Sequence, residues 1–133
     1  MIKKKSLAFT LIEVLVATTI IAVLTAIGVV SYASASRNSR DAKRLSDVEQ
    51  IRAALEMYRA DVGNYPGSID LISGSGELSS GTNVYMSPIP TDPKPSAGGE
   101  YDYSGADDDY TLMIYSEKNS ANRCFGPLGE KDC

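Results

Sequence analysis

The sequence predicts an α+β protein in which the C-terminal half of one long N-terminal α-helix packs on a small antiparallel β-sheet. Three observations predict it. From Val14 to Ser36 there is no charged residue, and this stretch exceeds the roughly 20 apolar residues a bilayer-spanning helix needs. Beyond Arg37, the residues Leu45, Val48, Ile51, Leu55, Tyr58 and Val62 follow steps of three and four, the spacing of one helical face. The remainder carries turn residues and short alternating segments, with 5 of the 6 Pro and 8 of the 11 Gly lying between Gly63 and Gly105.

The elements follow in order. Residues 1–8 hold Lys3, Lys4 and Lys5, a basic flank that keeps the N-terminal end cytoplasmic and sends the rest of the chain outward. Residues 9–36 form a membrane-spanning segment whose single charge is Glu13. Within it Thr18, Ala22 and Ala26 are spaced by four, which permits close helix–helix approach, and Gly28 is the best candidate for local loosening. Residues 37–62 continue the same helix in amphipathic form, with Arg44, Asp47, Glu49, Arg52, Glu56 and Arg59 largely off the apolar face. No Pro interrupts Phe9 to Tyr65, and Gly63-Asn64 supplies the stop, so one helix from Phe9 to Ala60 would run about 78 Å. Such a helix cannot be buried in a 133-residue globule. Its first half must meet lipid or other chains.

Residues 63–133 form the exported head. Asn64 to Ile72 reads as a turn and a short helical piece, and Ser73 to Thr82 as a Gly/Ser-rich loop. Met86 to Pro93 cannot continue a central strand. Residues 100–104 and 110–117 read as the strands of a hairpin, joined at Gly105–Asp109. Tyr110, Leu112 and Ile114 would face the helix, with Thr111, Met113 and Tyr115 outward. Asn83–Met86 would add a third strand to that sheet.

Composition excludes most chemistry. The 133 residues are 43% hydrophobic and 23% charged, with a formal net charge of -4 and a mean hydropathy of -0.14. There is no His, which removes imidazole-based catalysis and His-ligated metals. Two Cys cannot build a four-thiolate zinc or iron–sulfur site, and a pI near 4.8 argues against nucleic-acid binding. No acid–base or nucleophile–base pairing suggests an enzyme, and there is no nucleotide-binding loop.

The run from Lys5 to Leu15, with Ala8-Phe9-Thr10-Leu11-Ile12-Glu13 at its centre, resembles the N-terminal processing signal of type IV pilins and type II secretion pseudopilins. The stretches Asn64–Ile72 and Met86–Pro93 also resemble segments of that family. The resemblance implies that a prepilin peptidase removes residues 1–8 by cutting after Ala8 and methylates the new N-terminus of Phe9. Ala8 departs from the Gly usual at that place, and is small enough for processing to survive. Glu13 falls at the family's acidic position, where the implied partner is the Phe9 α-ammonium of a neighbouring subunit. The implied partners are other copies and other pilins in a helical filament, the peptidase, the assembly platform with its ATPase, and the membrane before assembly. The implied function is a structural subunit of a type IV pilus-like filament, displayed at the cell surface after assembly. A type II secretion pseudopilin is the alternative. A different alternative is a secreted or membrane-anchored binding module released at the A-x-A site Ala33-Ser34-Ala35, cut after Ala35.

Three further features bear on chemistry. Asp107, Asp108 and Asp109, with Asp102 nearby, are weak calcium candidates, since their spacing is that of a solvated turn more than of an ordered calcium loop; no cofactor is otherwise expected. Cys124 and Cys133 read as a disulfide closing a C-terminal loop, because an exported head lies in an oxidising compartment. The resemblance adds that many type IV pilins close such a loop, whereas major secretion pseudopilins generally do not. Residues 61–133 hold four basic and twelve acidic side chains. Arg37, Arg40, Lys43 and Arg44 cluster just outside the membrane, facing lipid head groups or the acidic heads of neighbours.

Overall fold

The computed structural model describes residues 9–69, 71, 76–95 and 100–133. The expected leader 1–8, Ser73 to Ser75, and Asp70 and Ile72 of the expected helical piece lie outside these residues. A single helix, α1 (Leu11–Val62, 52 residues), follows Thr10. Thr10 and Glu13 start it as a reciprocal capping box. Glu13 Oε2 accepts from the Thr10 amide at 2.9 Å, and Thr10 Oγ1 accepts from the Glu13 amide at 3.3 Å. Gly63 stops it, at φ 97, with its amide donating to the Arg59 carbonyl at 2.8 Å. A side chain there would be strained, so glycine at this position sets the helix end.

The chain divides into two compact units, one ending at Ser36 and one spanning Arg37–Cys133. In the first, the helix is long and apolar enough to cross a membrane. Its large apolar side chains from Phe9 to Val30 have no protein cover, the least exposed being Val16 at 48%. The hydroxyls of Thr18, Thr19 and Thr25 donate to the carbonyls of Leu15, Val16 and Ile21. They therefore demand no partner from an apolar surrounding.

In the second unit, α1 from Arg37 onward packs on a four-stranded antiparallel sheet in the order β3-β4-β5-β6. The strands are β3 (Asp102–Ala106), β4 (Asp109–Ser116), β5 (Ala121–Gly126) and β6 (Gly129–Lys131). Val48, Ile51, Ala54 and Leu55 of the helix join Tyr103, Tyr110, Leu112, Ile114 and Phe125 of the sheet in one core. β4 alternates as expected: Tyr110, Leu112 and Ile114 are buried while Thr111, Met113 and Tyr115 are half-exposed. The β3–β4 hairpin forms where expected, but Gly105, Ala106 and Asp109 of the expected link are paired in its strands, leaving a two-residue turn that places Asp107 at φ 45, a conformation Asp tolerates.

The loop after the helix seals the free edge of β3. Tyr65 donates its amide to the Asp107 carbonyl, Gly105 donates to Gly67, and the Tyr103 hydroxyl donates to Pro66. Gly105 is required by this closeness, because a Cβ there would strike the Pro66 carbonyl and the Tyr103 hydroxyl. An edge covered in this way cannot pair with another chain.

Four expectations need correction. Asn83–Met86 (β2) does not join the main sheet; it pairs with β1 (Leu78–Ser80), a strand inside the expected Gly/Ser loop, in a separate two-stranded sheet. The stretch expected as a loop closed by Cys124 and Cys133 is instead a hairpin of two strands, β5 and β6, paired from Cys124↔Lys131 to Gly126↔Gly129. Among the described residues of Asn64–Ile72 none is helical. Finally, Arg44 and Asp47 are not on the solvent side of α1 but buried, at 0% and 3% exposure.

Candidate functional site

The expected site residues fall in two regions, one at the start of α1 and one in the head. At the helix start Phe9 is 86% exposed, while Ala8, the residue before the expected cut, lies outside the described residues. Glu13 Oε2 also accepts from Thr10 Oγ1 at 2.9 Å. The only carboxylate in the apolar segment thus has a structural task within its own chain, four positions after Phe9, the expected new N-terminus. The Thr-x-x-Glu spacing announces this box in the sequence. Phe9, Glu13, Val14, Ala17 and Thr18 line an open recess of about 350 Å³. The arrangement presents one anion and an uncovered apolar face side by side.

The head contains a charged seam where α1 meets the sheet. Arg44 holds Asp92 in a bidentate pair, Nε to Oδ2 at 2.5 Å and Nη2 to Oδ1 at 2.9 Å. Its Nη1 donates to Asp41 at 2.8 Å and Glu117 at 3.0 Å. Arg40 forks onto Glu117 at 2.7 and 2.6 Å. Asp41 also accepts from the amides of Glu117 and Lys118 and from the Ser116 hydroxyl, fastening the end of β4 to the helix. Asp47 accepts from the Tyr101 hydroxyl at 2.8 Å. The expected basic cluster is therefore not free to meet lipid or neighbours as a whole, because Arg40 and Arg44 are committed to carboxylates of their own head. A guanidinium fork suits this role, since its fixed geometry serves several carboxylates at once.

The electrostatics follow the contacts. The Asp92 pairing raises the Arg44 pKa above its ordinary value against the opposing effect of burial. Arg40 chiefly, with Arg44, holds Glu117 down at about 2. Burial opposes the charged form of Asp41, but the Lys118 and Glu117 amides with Arg44 outweigh it, so its pKa is lowered. Burial and the bond to Asp47 push the Tyr101 hydroxyl well up. A carboxylate whose folded pKa is depressed stabilises the fold above its unfolded pKa and loses that contribution as pH falls toward the folded one. Acid titration of the full chain in detergent, followed by near-ultraviolet circular dichroism, should thus show head stability falling from about pH 4.5 toward pH 2. Glu117→Gln should flatten this slope.

At the far end of the hairpin pair, Cys124 and Cys133 form the expected disulfide. It ties Cys133 to β5 across the short β5–β6 hairpin, and a closure of this size contributes about 2–3 kcal/mol on the chain-entropy account. The acidic candidates are placed as follows. Asp102 is exposed on β3, and Asp107 is exposed in the turn. Asp108 pairs with Arg59 at 2.7 Å and Asp109 with Lys131 at 3.0 Å. Among the described residues no group of three or more Cys, Asp or Glu is placed to hold a metal ion.

Comparison with known proteins adds the family. Residues 3–29 match the prokaryotic N-terminal methylation motif. Residues 31–123, most of the chain and the head through the first part of β5, match type II secretion system (T2SS), protein G. No curated protein and no solved structure matches. A helix start bearing the methylation motif and a helix-on-sheet head describe a structural subunit of the prepilin and pseudopilin type, not an enzyme. The chain belongs to the type II secretion system protein G family, with a prepilin-type methylation motif at its N-terminus.

Proposed function

We propose that this chain is a pseudopilin, the building block of a short filament that drives protein secretion. The observation that carries the reading is the match to protein G of the type II system over residues 31–123, which takes in the head up to the first half of β5. In this reading the chain is made as a single-pass precursor in the cytoplasmic membrane with its head outside. Prepilin peptidase removes residues 1–8 after Ala8 and methylates Phe9. Residues 9–36 then form the filament core, residues 37–62 the helix that carries the head, and residues 63–133 the head. The membrane stores the helix, and assembly moves its apolar face from lipid into a bundle of like helices. Lipid and bundle are equally apolar, so close packing and specific polar contacts decide that transfer. Force comes from the assembly platform and its ATPase.

A type IV pilin is the second reading, favoured by the Cys124–Cys133 disulfide, which lies just beyond the matched residues. One experiment tests both. Cells lacking the protein are compared with parent cells for secreted protein and for surface fibres, and the mature protein is sequenced from its N-terminus. Retained secretory cargo with fibres intact, and a mature chain beginning at N-methylated Phe9, are the expected results. Lost fibres with normal secretion would establish the pilin. A mature chain beginning at Ser36 would overturn both.

A further inference from the structure

Leu128 stands at the tip of the β5–β6 hairpin at 103% exposure, touching no apolar cover of its own. The tip is held in place: the Pro127 carbonyl accepts from Arg52 Nη2 at 3.3 Å, and the disulfide closes the hairpin's open end. A partner meeting this tip would pay little to order it. The β3–β4 turn lies at the same end, across a cavity of about 470 Å³ that Leu128, Asp108 and Asp109 line. Arg59 and Lys131 neutralise those two carboxylates, while Asp107 has no ion-pair partner among the described residues.

A second recess lies where α1 enters the head. It measures about 510 Å³ and is lined by Asn38, Ala42, Leu45 and Lys118 among others. Leu45 is 37% exposed, off the core although on the helix's apolar stripe. Lys118 has no ion-pair partner among the described residues, nor has the neighbouring Arg37. The recess meets α1 at Asn38–Leu45, whereas the tip meets it at Arg52 and Arg59, about two to four turns further on. The spare charge is negative at the tip end and positive at the recess end.

We propose that the β5–β6 tip of one copy docks Leu128 into the Leu45 recess of the next copy, with Asp107 facing Lys118 across the contact. The proposal rests on the filament function above. It joins two different surfaces of the same chain, so the contact is heterologous, the kind that can repeat without closing as a filament requires. Opposite spare charges fix the register, and the apolar tip supplies the anchor.

The test uses the full chain in cells with a photo-crosslinking amino acid at Leu45. Irradiation should give a dimer of this chain whose crosslink maps to residues 126–129 of the second copy. Leu128→Asp, at a fully exposed position, should lower dimer yield at least about tenfold. Asp107→Asn keeps the turn and should lower it about threefold. Crosslinks that map elsewhere, capture of another protein, or an unchanged yield in Leu128→Asp would overturn the contact while leaving the filament function standing. If the unmodified chain forms no filament, the function and the contact fall together.

Discussion

Arg44→Met should destabilise the head by about 3–5 kcal/mol, the largest loss expected from a single side chain in this protein. Met keeps the unbranched apolar stem of Arg, so the effect reports chiefly the loss of the guanidinium, with its charge and its hydrogen bonds. The substitution leaves Asp92, whose side chain is only 1% exposed, with the Lys94 amide but no cation, and takes one cation from Asp41 and Glu117. An unpaired buried carboxylate must either remain charged in a poor solvent or bind a proton, and both weaken the fold. A domain of this size has about 5–15 kcal/mol of stability in all, so most of the margin is at risk. At about 4–8 °C per kcal/mol, the head's melting temperature should fall by more than about 12 °C. Near-ultraviolet circular dichroism of the full chain in detergent reports it, since Tyr65, Tyr101, Tyr103 and Tyr110 are buried in the head. Arg123→Met is the control. Its pair with Glu130 at 2.7 Å is solvent-exposed, and its loss should move the midpoint by no more than about 8 °C. Equal effects of the two substitutions would show that the seam is no more than a surface ion pair.

The seam also marks where sequence patterns stop being informative. Both halves of α1 were legible, because a charge-free run and a three-four spacing are local signals, and Gly63 ends the helix for a local reason. The β3–β4 hairpin was legible through the alternation of Tyr110 to Tyr115. Arg44 obeys the spacing of Val48 and Ile51 equally well, but a guanidinium on a helix is by default placed in water. Only Asp92 and Glu117, distant in sequence, convert that position into an interior one. β5 was hidden for another reason. Its first half, Ala121 to Arg123, is small or polar, and its second half buries Cys124, Phe125 and Gly126 in succession, so no period of two exists to find. β1 is three residues of Leu-Ser-Ser, and a strand that short is made by its partner β2 and not by propensity. At the helix start, Glu13 stands out as an anion in an apolar run, and its second role, closing the box with Thr10, is carried by the Thr-x-x-Glu spacing alone.

That double role makes Glu13 separable into two functions by substitution. Glu13→Gln should leave the helix start intact and reduce filament assembly by about a hundredfold. A Gln side chain retains the oxygen that accepts from the Thr10 amide and hydroxyl, the contacts Glu13 makes at 2.9 Å. It lacks the negative charge. In the proposed mature chain the N-methylated α-ammonium of Phe9 enters the filament core, and a lone cation there has neither water nor a counter-ion. Glu13→Ala removes the charge and the acceptor together, so it should lose assembly to the same degree and also fray the first turn. Filaments sheared from cells give the assembly yield, and hydrogen exchange at the Leu11 to Val14 amides in detergent micelles reports the first turn. The contrast between the two variants carries the inference. Equal assembly loss with fraying confined to Glu13→Ala assigns the anion to intersubunit pairing and the oxygen to capping. Normal assembly in Glu13→Gln would make capping the residue's whole task, and the Phe9 ammonium would then need a different counter-charge within the filament.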